Sequence, residues 1–203
     1  MYVVDLVQRQ SISVQAVGEP NLTQVDSCPT LPISRGLNIQ LFNVKIEIQL
    51  LLRKTEQADL ETLFILQLYK KANYLAGFTP KDPTDRVVYF EKWTKLISNP
   101  KINMKTVVIN DLVLGSVINF EIEGEAEISF WIDRKYWGQG IATAALKVFL
   151  ETEHLRPLHG RVALDNFRSQ KVLEKCGPVR IGNEKGFANA RNAEIEEFIY
   201  RLT

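Results

Sequence analysis

The chain has 203 residues, of which 45% are hydrophobic, and its formal net charge is +1. This length and composition support one substantial core, in one domain with an appendage. The balanced charge gives no indication of a nucleic-acid or membrane partner, and no apolar run approaches the ~20 residues that a membrane-spanning helix needs.

Residues 1–44 predict an extension to a domain over residues 45–203. The segment is rich in polar residues, and three prolines interrupt any long element. Three roles remain open for it: a poorly ordered arm, an added strand, or a dimerisation element that would make a homodimer. The first ten residues lack a basic region before a long apolar core, so we expect no signal peptide. Cys28 and Cys176 are far apart and form no C-x-x-C metal motif, which suits a reducing cytoplasm.

The first half of the predicted domain alternates strand and helix signals. Residues 44–53 are strand-like. Thr55 is predicted to cap a helix whose apolar spacing extends it to Lys71. The loop over residues 79–85 ends at a plausible helix cap, and a second helix follows and ends near Asn99.

The second half predicts a meander followed by a long helix and the closing strands. Strands over residues 106–109, 113–120 and 125–132 are joined by tight turns, which is typical of an antiparallel sheet. A long helix is predicted from about Gly140 to His154, and another strand over 161–164. A short helix capped by Asn166 or Asp165 ends at Gly177-Pro178. Strands over residues 179–182 and 196–202 complete the predicted sheet. The predicted fold class is α+β, with a mixed, mostly antiparallel sheet flanked by helices.

A glycine turn, Gly138-Gln139-Gly140, separates the apolar strand Ile128–Ile132 from the long helix. The first N–H groups of a helix lack internal partners and carry partial positive charge, so this arrangement suits phosphate binding. The plainer alternative is that both glycines only make a turn. The chain has neither the P-loop pattern nor the dinucleotide-binding fingerprint, so neither a nucleoside triphosphate nor a dinucleotide is favoured.

From about Ile46 to Thr203, the order of elements resembles the GNAT acetyltransferase fold, and three motifs carry the resemblance. Tyr136-Trp137-Gly138-Gln139-Gly140-Ile141-Ala142 is similar to the family's pyrophosphate loop. The others are Asp165-Asn166-Phe167-Arg168-Ser169, followed by Val172-Leu173-Glu174-Lys175-Cys176-Gly177, and the opening run from Leu52 to Leu60. The branch that these forms resemble contains ribosomal-protein alanine and serine N-acetyltransferases, together with enzymes that act on small amines.

The resemblance implies acetyl-CoA as co-substrate. Its pyrophosphate would lie on the N–H groups of Gly138 to Thr143, and its pantetheine arm would pair with the backbone near Trp131 and Ile132. Arg134 and Lys135 are candidate contacts of the phosphates, or else an ordinary solvated turn. The implied cofactor-binding residues are Trp131, Ile132, Trp137, Gly138, Gln139, Gly140, Ile141, Ala142, Thr143, Asn166 and Ser169.

Two side chains are predicted to act in catalysis. Amide formation needs a neutral amine and a proton for the departing thiolate. Some GNAT enzymes place a catalytic glutamate where Glu127 stands, so Glu127 is the candidate base. Glu125 shares its face and is the substitute; a solvated strand end is the plainer interpretation. Many GNAT enzymes return a proton to the sulfur from a tyrosine on the short helix. This chain has no tyrosine there, and Ser169 stands in the corresponding element.

The resulting hypothesis is an N-acetyltransferase that moves an acetyl group directly to a primary amine, either a protein N-terminus or a small molecule. The acceptor pocket would be lined by residues 74–78 and by the loop to Asp85. The alternative is an acyl-CoA-binding regulatory module without turnover. Two positions depart from the branch: Ala144 replaces a common glutamate, and Pro178 replaces an aromatic residue.

Overall fold

The computed structural model describes residues 50–122 and 124–203, and the structural statements below concern those residues. The predicted extension and the start of the predicted first strand lie outside them. The strands are β1 Leu50–Lys54, β2 Met104–Ile109, β3 Leu112–Ile122, β4 Glu125–Ile132, β5 Leu158–Ala163, β6 Val179–Ala188 and β7 Ala193–Leu202. The helices are α1 Asp59–Gln67, α2 Lys70–Ala76, α3 Arg86–Ser98, α4 Ile141–Thr152 and α5 Phe167–Lys175.

The seven described strands form one mixed sheet in the order β1-β2-β3-β4-β5-β7-β6. Neighbouring strands run antiparallel except β4 and β5, which are parallel and pair at Ala126 with Leu158 and at Glu127 with His159. Beyond Glu127 the two strands separate, so the β5 side of residues 128–132 has no strand partner. This β4–β5 split is the feature of the sheet that positions the site.

The two faces of the sheet are covered by different helices. Because side chains alternate along a strand, β4 directs Ile128, Phe130 and Ile132 to one face, where they pack with α4. The other face of β3 carries a second cluster in which Ile118 and Phe120 pack against α1 and α3. Full burial of such a side chain contributes roughly 1.5–3 kcal/mol, so both faces are held mainly by apolar packing.

The start of α1 differs from the prediction. Thr55 is buried and its hydroxyl is hydrogen-bonded to the Thr106 hydroxyl at 3.0 Å, so it does not cap the helix. The helix begins at Asp59 and ends at Gln67, and the residues predicted to continue it form the separate α2. The prediction was wrong because a threonine followed by acidic residues satisfies the cap pattern locally, whereas tertiary contact with β2 engages its hydroxyl.

Other local predictions are confirmed. The β4 strand has the predicted bounds. Asp85 caps α3 by accepting the Val88 N–H at 3.0 Å, and Asn166 caps α5 by accepting the Ser169 N–H at 3.3 Å. Strands β6 and β7 are longer than predicted, because most of β6 is exposed and therefore carries no apolar alternation. No helix among the described residues is long and apolar enough to cross a membrane.

Candidate active site

A cavity of about 270 Å³ opens at the β4–β5 split, between the N-terminus of α4 and one face of α5. We call it the donor cavity, after the acetyl donor that the sequence resemblance implies. Its floor is the end of β4 and the glycine turn, and its walls are α5 and the end of α2. It is lined by Leu75, Ile132, Tyr136, Trp137, Gly138, Gly140, Ala142, Thr143, Asn166, Arg168, Ser169, Lys171, Val172 and Lys175.

The glycine turn has the backbone shape that an anion site needs. Gly138 and Gly140 have φ values of 79° and 80°, in the left-handed region that favours glycine. A Cβ built on Gly138 would meet no heavy atom within 4 Å, so the space before this backbone is open. The Thr143 N–H already donates to the Gly140 carbonyl at 3.1 Å, which leaves the preceding N–H groups as the donors available at the start of α4.

Most of the predicted cofactor-binding residues line the donor cavity, and three do not. Gln139 turns its side-chain amide back to the Lys135 carbonyl at 3.1 Å, and Ile141 packs against the core. The Trp131 ring lies on the opposite side of the sheet. It packs against α2, and its indole N–H donates to the Leu66 carbonyl at 3.2 Å.

Trp137 holds the end of β4 at the wall of the donor cavity. Its indole N–H donates to the Ile132 carbonyl at 2.9 Å. The Ile132 carbonyl therefore already accepts a hydrogen bond. A pantetheine arm in the split would have to pair with other backbone polar groups of residues 128–132. Trp137 also packs edge-on against Tyr69 at 6.2 Å between ring centroids, which ties the glycine turn to the start of α2.

The cations that line the donor cavity are not the predicted ones. The Arg134 guanidinium lies 4.7 Å from the Tyr69 ring centroid, and neither Arg134 nor Lys135 lines the cavity. Arg168, Lys171 and Lys175 line it instead, from one face of α5. Their spacing of three and four residues is the signal that could have found them, since such residues share a helix face.

Asn166 and Ser169 are both buried at the inner end of α5. Asn166 caps the helix and also donates from Nδ2 to the Leu75 carbonyl at 3.2 Å, which fixes α5 against α2. Ser169 lines the donor cavity at the first turn of α5.

Cys176 lies at the other end of the helix, where burial raises the pKa of its thiol to about 11 despite the nearby Lys147. Such a thiol is protonated at neutral pH and is a poor nucleophile.

Glu127 lies on the opposite face of β4, at the apex of the β4–β5 split. Its side chain is 1% exposed and its Oε1 accepts a hydrogen bond from Arg161 Nε at 2.5 Å. Arg161 also pairs with Glu184 and lies 3.8 Å from Glu197 Oε1. Burial alone would lower the pKa of the Arg161 guanidinium, but the charges and hydrogen bonds of Glu127 and Glu184 outweigh it and raise that pKa.

Sequence reasoning did not single out Arg161. The available signal was strand alternation, which puts it on the same face as His159, the register partner of Glu127. Glu125, the substitute base, is 56% exposed and its Oε2 lies 3.7 Å from His159 Nδ1. It therefore lies nearer the solvent end of β4 than Glu127 does.

Two neighbouring cavities lie on the Glu127 side of the sheet, and we call them the acceptor cavities because the predicted acceptor loop to Asp85 lines one of them. The outer one, about 470 Å³, is formed by the loop from Pro80 to Asp85 and by α3. The inner one, about 30 Å³, reaches Ser129 and Trp131 on β4. Both are lined by Gln67, Tyr89 and Trp93. The predicted segment 74–78 contributes differently, since Leu75 lines the donor cavity and Phe78 is buried.

The comparisons with known proteins agree with this geometry. The family model described as Acetyltransferase (GNAT) domain matches residues 49–179, which is more than half of the chain. No curated protein matches the chain.

Several solved structures share the fold at low sequence identity. RimL, a ribosomal L7/L12 alpha-N-protein acetyltransferase in complex with coenzyme A, has a TM-score of 0.64 and 19% identity, covering 77% of this chain and 97% of that one. Mycobacterium smegmatis RimJ, in complex with a CoA disulfide, has a TM-score of 0.61 and 19% identity, covering 76% and 81%. The microcin C7 self-immunity acetyltransferase MccE, in complex with acetyl-CoA and AMP, has a TM-score of 0.59 and 20% identity, covering 76% and 92%.

Proposed function

Because the chain belongs to the acetyltransferase (GNAT) domain family, and is thus an N-acetyltransferase that uses acetyl-CoA, we propose that it moves the acetyl group directly to a primary amine in a ternary complex. The observation that carries this proposal is the β4–β5 split, with a donor cavity on one side of the sheet and acceptor cavities on the other. Membership of the family disfavours the alternative of a module without turnover.

The donor cavity fits the phosphates of acetyl-CoA. The backbone from Gly138 to Ala142 offers N–H donors at the positive end of α4, and the open space before Gly138 admits a bulky anion. The α5 cations Arg168, Lys171 and Lys175 complement the phosphate charge from the opposite wall. We propose these groups as the anion-binding set, in place of Arg134 and Lys135.

Direct transfer is supported by the nucleophiles of the site. A covalent acetyl-enzyme would need an activated thiol or hydroxyl with a neighbouring base. The described cysteine, Cys176, has a thiol whose pKa is raised to about 11, and its Sγ contacts the Thr143 carbonyl at 3.3 Å. In direct transfer the N–C bond forms and the C–S bond breaks, while the amine loses one proton and the sulfur gains one.

Glu127 is the proposed acceptor of the amine proton. It lies at the apex of the split, two residues before Ser129, which lines the inner acceptor cavity. An amine bound next to Ser129 would therefore lie on the same face of β4 as the Glu127 carboxylate. Glu125 is the weaker candidate because it is exposed and farther from the split.

Ser169 is proposed to hydrogen-bond the sulfur or the pantetheine arm. It is buried at the first turn of α5 and lines the donor cavity. A serine hydroxyl is a poor acid, so its expected contribution is that of one hydrogen bond rather than of a general acid.

The acceptor is proposed to be a peptide N-terminus or a small amine without a carboxylate next to the amine. Arg161, the cation at the apex of the split, is already shared among three carboxylates. It is therefore poorly placed to bind an acceptor carboxylate. Tyr89 and Trp93, whose ring centroids lie 5.8 Å apart, offer an apolar wall for the rest of the acceptor.

The donor site is tested by a matched pair of glycine variants. Gly138→Asp introduces a carboxylate into the proposed phosphate site, so we expect it to abolish acetyl-CoA binding in calorimetry. Gly124→Asp is the control, because Gly124 also has a positive φ and open space but lies in the β3–β4 turn. Equal acetyl-CoA affinity for the two folded variants would refute the donor-site assignment.

The acceptor class is tested by following release of free CoA with a panel of acceptors. The panel contains peptides beginning with Ser, Ala, Thr or Met, together with small amines and free amino acids. We expect turnover with peptides or simple amines and none with free amino acids. Efficient acetylation of free amino acids would contradict the proposed acceptor class, and co-purified CoA without any turnover would favour the binding-module alternative.

A further inference from the structure

The Arg161 guanidinium links the two strands that separate at the proposed site. Arg161 lies on β5, two residues after His159, where the pairing with β4 ends. Its Nε–H donates to Glu127 Oε1 across the split at 2.5 Å. The side chain of Arg161 therefore crosses the split at its apex, on the face that carries the acceptor cavities.

The Arg161 guanidinium lies next to three carboxylates, whereas a simple ion pair has one. Besides Glu127 it contacts Glu184 on β6 and lies 3.8 Å from Glu197 on β7. A guanidinium has five N–H donors in a planar fork, so it can hold one carboxylate while it contacts others. The Arg161 side chain is 16% exposed and that of Glu127 is 1% exposed, so solvent screens their interaction weakly.

We infer that Arg161 is a positioning residue that keeps the Glu127 carboxylate ionised and fixed at the apex of the split. The inference rests on the proposed function, in which Glu127 receives a proton from the acceptor amine. Burial favours the protonated form of a carboxyl group, and a protonated Glu127 cannot take up that proton. A neighbouring positive charge favours the ionised form, and a guanidinium keeps its charge throughout the working pH range.

Other charged or titratable groups lie on the same face of the neighbouring strands, and any pH effect must be separated from theirs. They are Glu125 on β4, His159 on β5, Glu184 on β6, and Glu197 and Arg201 on β7. A measurement that follows Glu127 by itself is therefore needed.

Carboxyl titration by NMR provides that measurement and needs no acceptor. The full chain is labelled with ¹³C at the glutamate side-chain carboxyls, and the Glu127 signal is assigned as the one missing from Glu127→Gln. We expect Arg161→Gln to move the midpoint of this signal to higher pH by about one pH unit or more, the usual effect of an adjacent opposite charge. Arg161→Lys keeps the positive charge, so the Glu127 midpoint in this variant should stay closer to that of the unsubstituted protein.

Two further variants complete the design. Lys185→Gln removes a different ion pair between β6 and β7, the Lys185–Glu196 pair at 3.3 Å, and should leave the Glu127 midpoint unchanged. Glu184→Gln removes an exposed competitor for Arg161 and should move the midpoint to lower pH, because a like charge is lost. An unmoved midpoint in folded Arg161→Gln overturns the inference. If Arg161→Gln does not fold, an unmoved midpoint in Glu184→Gln does so.

Kinetics separate this inference from the proposed function. With acetyl-CoA and a peptide that begins with Ser, Arg161→Gln should lower kcat about tenfold or more and leave KM for acetyl-CoA unchanged, and Arg161→Lys should recover part of the loss. Full turnover in Glu127→Gln would remove Glu127 as the base, and the proposed function would need another one. Lost turnover in Glu127→Gln combined with an unmoved midpoint in Arg161→Gln would overturn only the role of Arg161.

Discussion

Two arginine–carboxylate clusters lie in the same sheet and are built differently. In the Arg53 cluster (Arg53, Asp59 and Thr106), one carboxylate accepts two hydrogen bonds from Arg53, at 2.6 and 2.7 Å, one from the Thr106 hydroxyl and one from the Glu56 N–H. In the Arg161 cluster (Glu127, Arg161, Glu184 and Glu197), one arginine is shared among three carboxylates.

The difference follows from where each cluster lies. Arg53 and Thr106 are register partners on β1 and β2, so Asp59 joins α1 to a continuously paired part of the sheet. The Arg161 cluster lies where pairing between β4 and β5 ends. A carboxylate with four donors has no capacity left for a ligand, whereas carboxylates that share one arginine can accept further donors. We therefore interpret the Arg53 cluster as structural and the Arg161 cluster as part of the reaction machinery.

The largest expected effect distinguishes the two clusters by activity. Glu127→Gln should lower turnover by ~10²-fold or more, the usual contribution of a general base, with little change in acetyl-CoA affinity. The lower-pH limb of the rate profile should disappear as well. Steady-state kinetics across pH, combined with calorimetry, would check both points, and a retained limb would transfer the role to Glu125 or to water.

Asp59→Asn should have the opposite profile, with reduced stability and nearly unchanged turnover per folded molecule. Loss of the charged acceptor leaves buried donors of Arg53 and Thr106 poorly satisfied, so we expect a loss of about 2–3 kcal/mol in the free energy of unfolding. Urea denaturation would measure it. Glu61→Gln is the control on the same helix, since its pair with Arg86 is exposed and should contribute little. A folded, stable Asp59→Asn with impaired turnover would contradict the division between the clusters.

The stabilising effect of Asp59 should depend on pH. Burial would raise the pKa of Asp59, but the hydrogen bonds from Arg53, the Glu56 N–H and Thr106 outweigh it and hold that pKa below its ordinary value. A carboxyl group with a lowered folded-state pKa stabilises the fold above its unfolded value, ~3.9, and loses this effect as pH falls through the folded value. The stability difference between the unsubstituted protein and Asp59→Asn should therefore be constant from pH 7 to 5 and shrink below pH 4. A difference that grows in acid would refute this.

The smallest expected effect concerns Ser169, a buried polar group outside both clusters. Ser169→Ala removes about one hydrogen bond, ~0.5–1.5 kcal/mol, which corresponds to a roughly threefold to tenfold loss of turnover. Single-turnover kinetics with saturating acetyl-CoA would measure it. A hundredfold loss at unchanged cofactor affinity would show that the hydroxyl protonates the departing thiolate.

Several predictions that depend on neighbouring residues agreed with the structure, and one that overlooked a distant partner was wrong. The β4 bounds and the caps at Asp85 and Asn166 follow from alternation and short-range hydrogen bonds. The assignment of Thr55 as a cap was wrong because its partner, Thr106, is 51 residues away. The contact of Arg134 and Lys135 with phosphate stays a prediction, and the described cavity is lined by cations of α5 that the sequence analysis did not single out.

The sequence by itself determined the order of the elements from α3 onward, the glycine turn before α4 and the position of Glu127 on its strand. These depend on side-chain periodicity and on backbone conformations that neighbouring residues control. Only the tertiary structure decided that Arg161 on β5 contacts Glu127 on β4, 34 residues away, and Glu184 on β6, 23 residues away. Sheet order and the β4–β5 split decide which charges become neighbours, and both result from long-range pairing that no local pattern in the chain records.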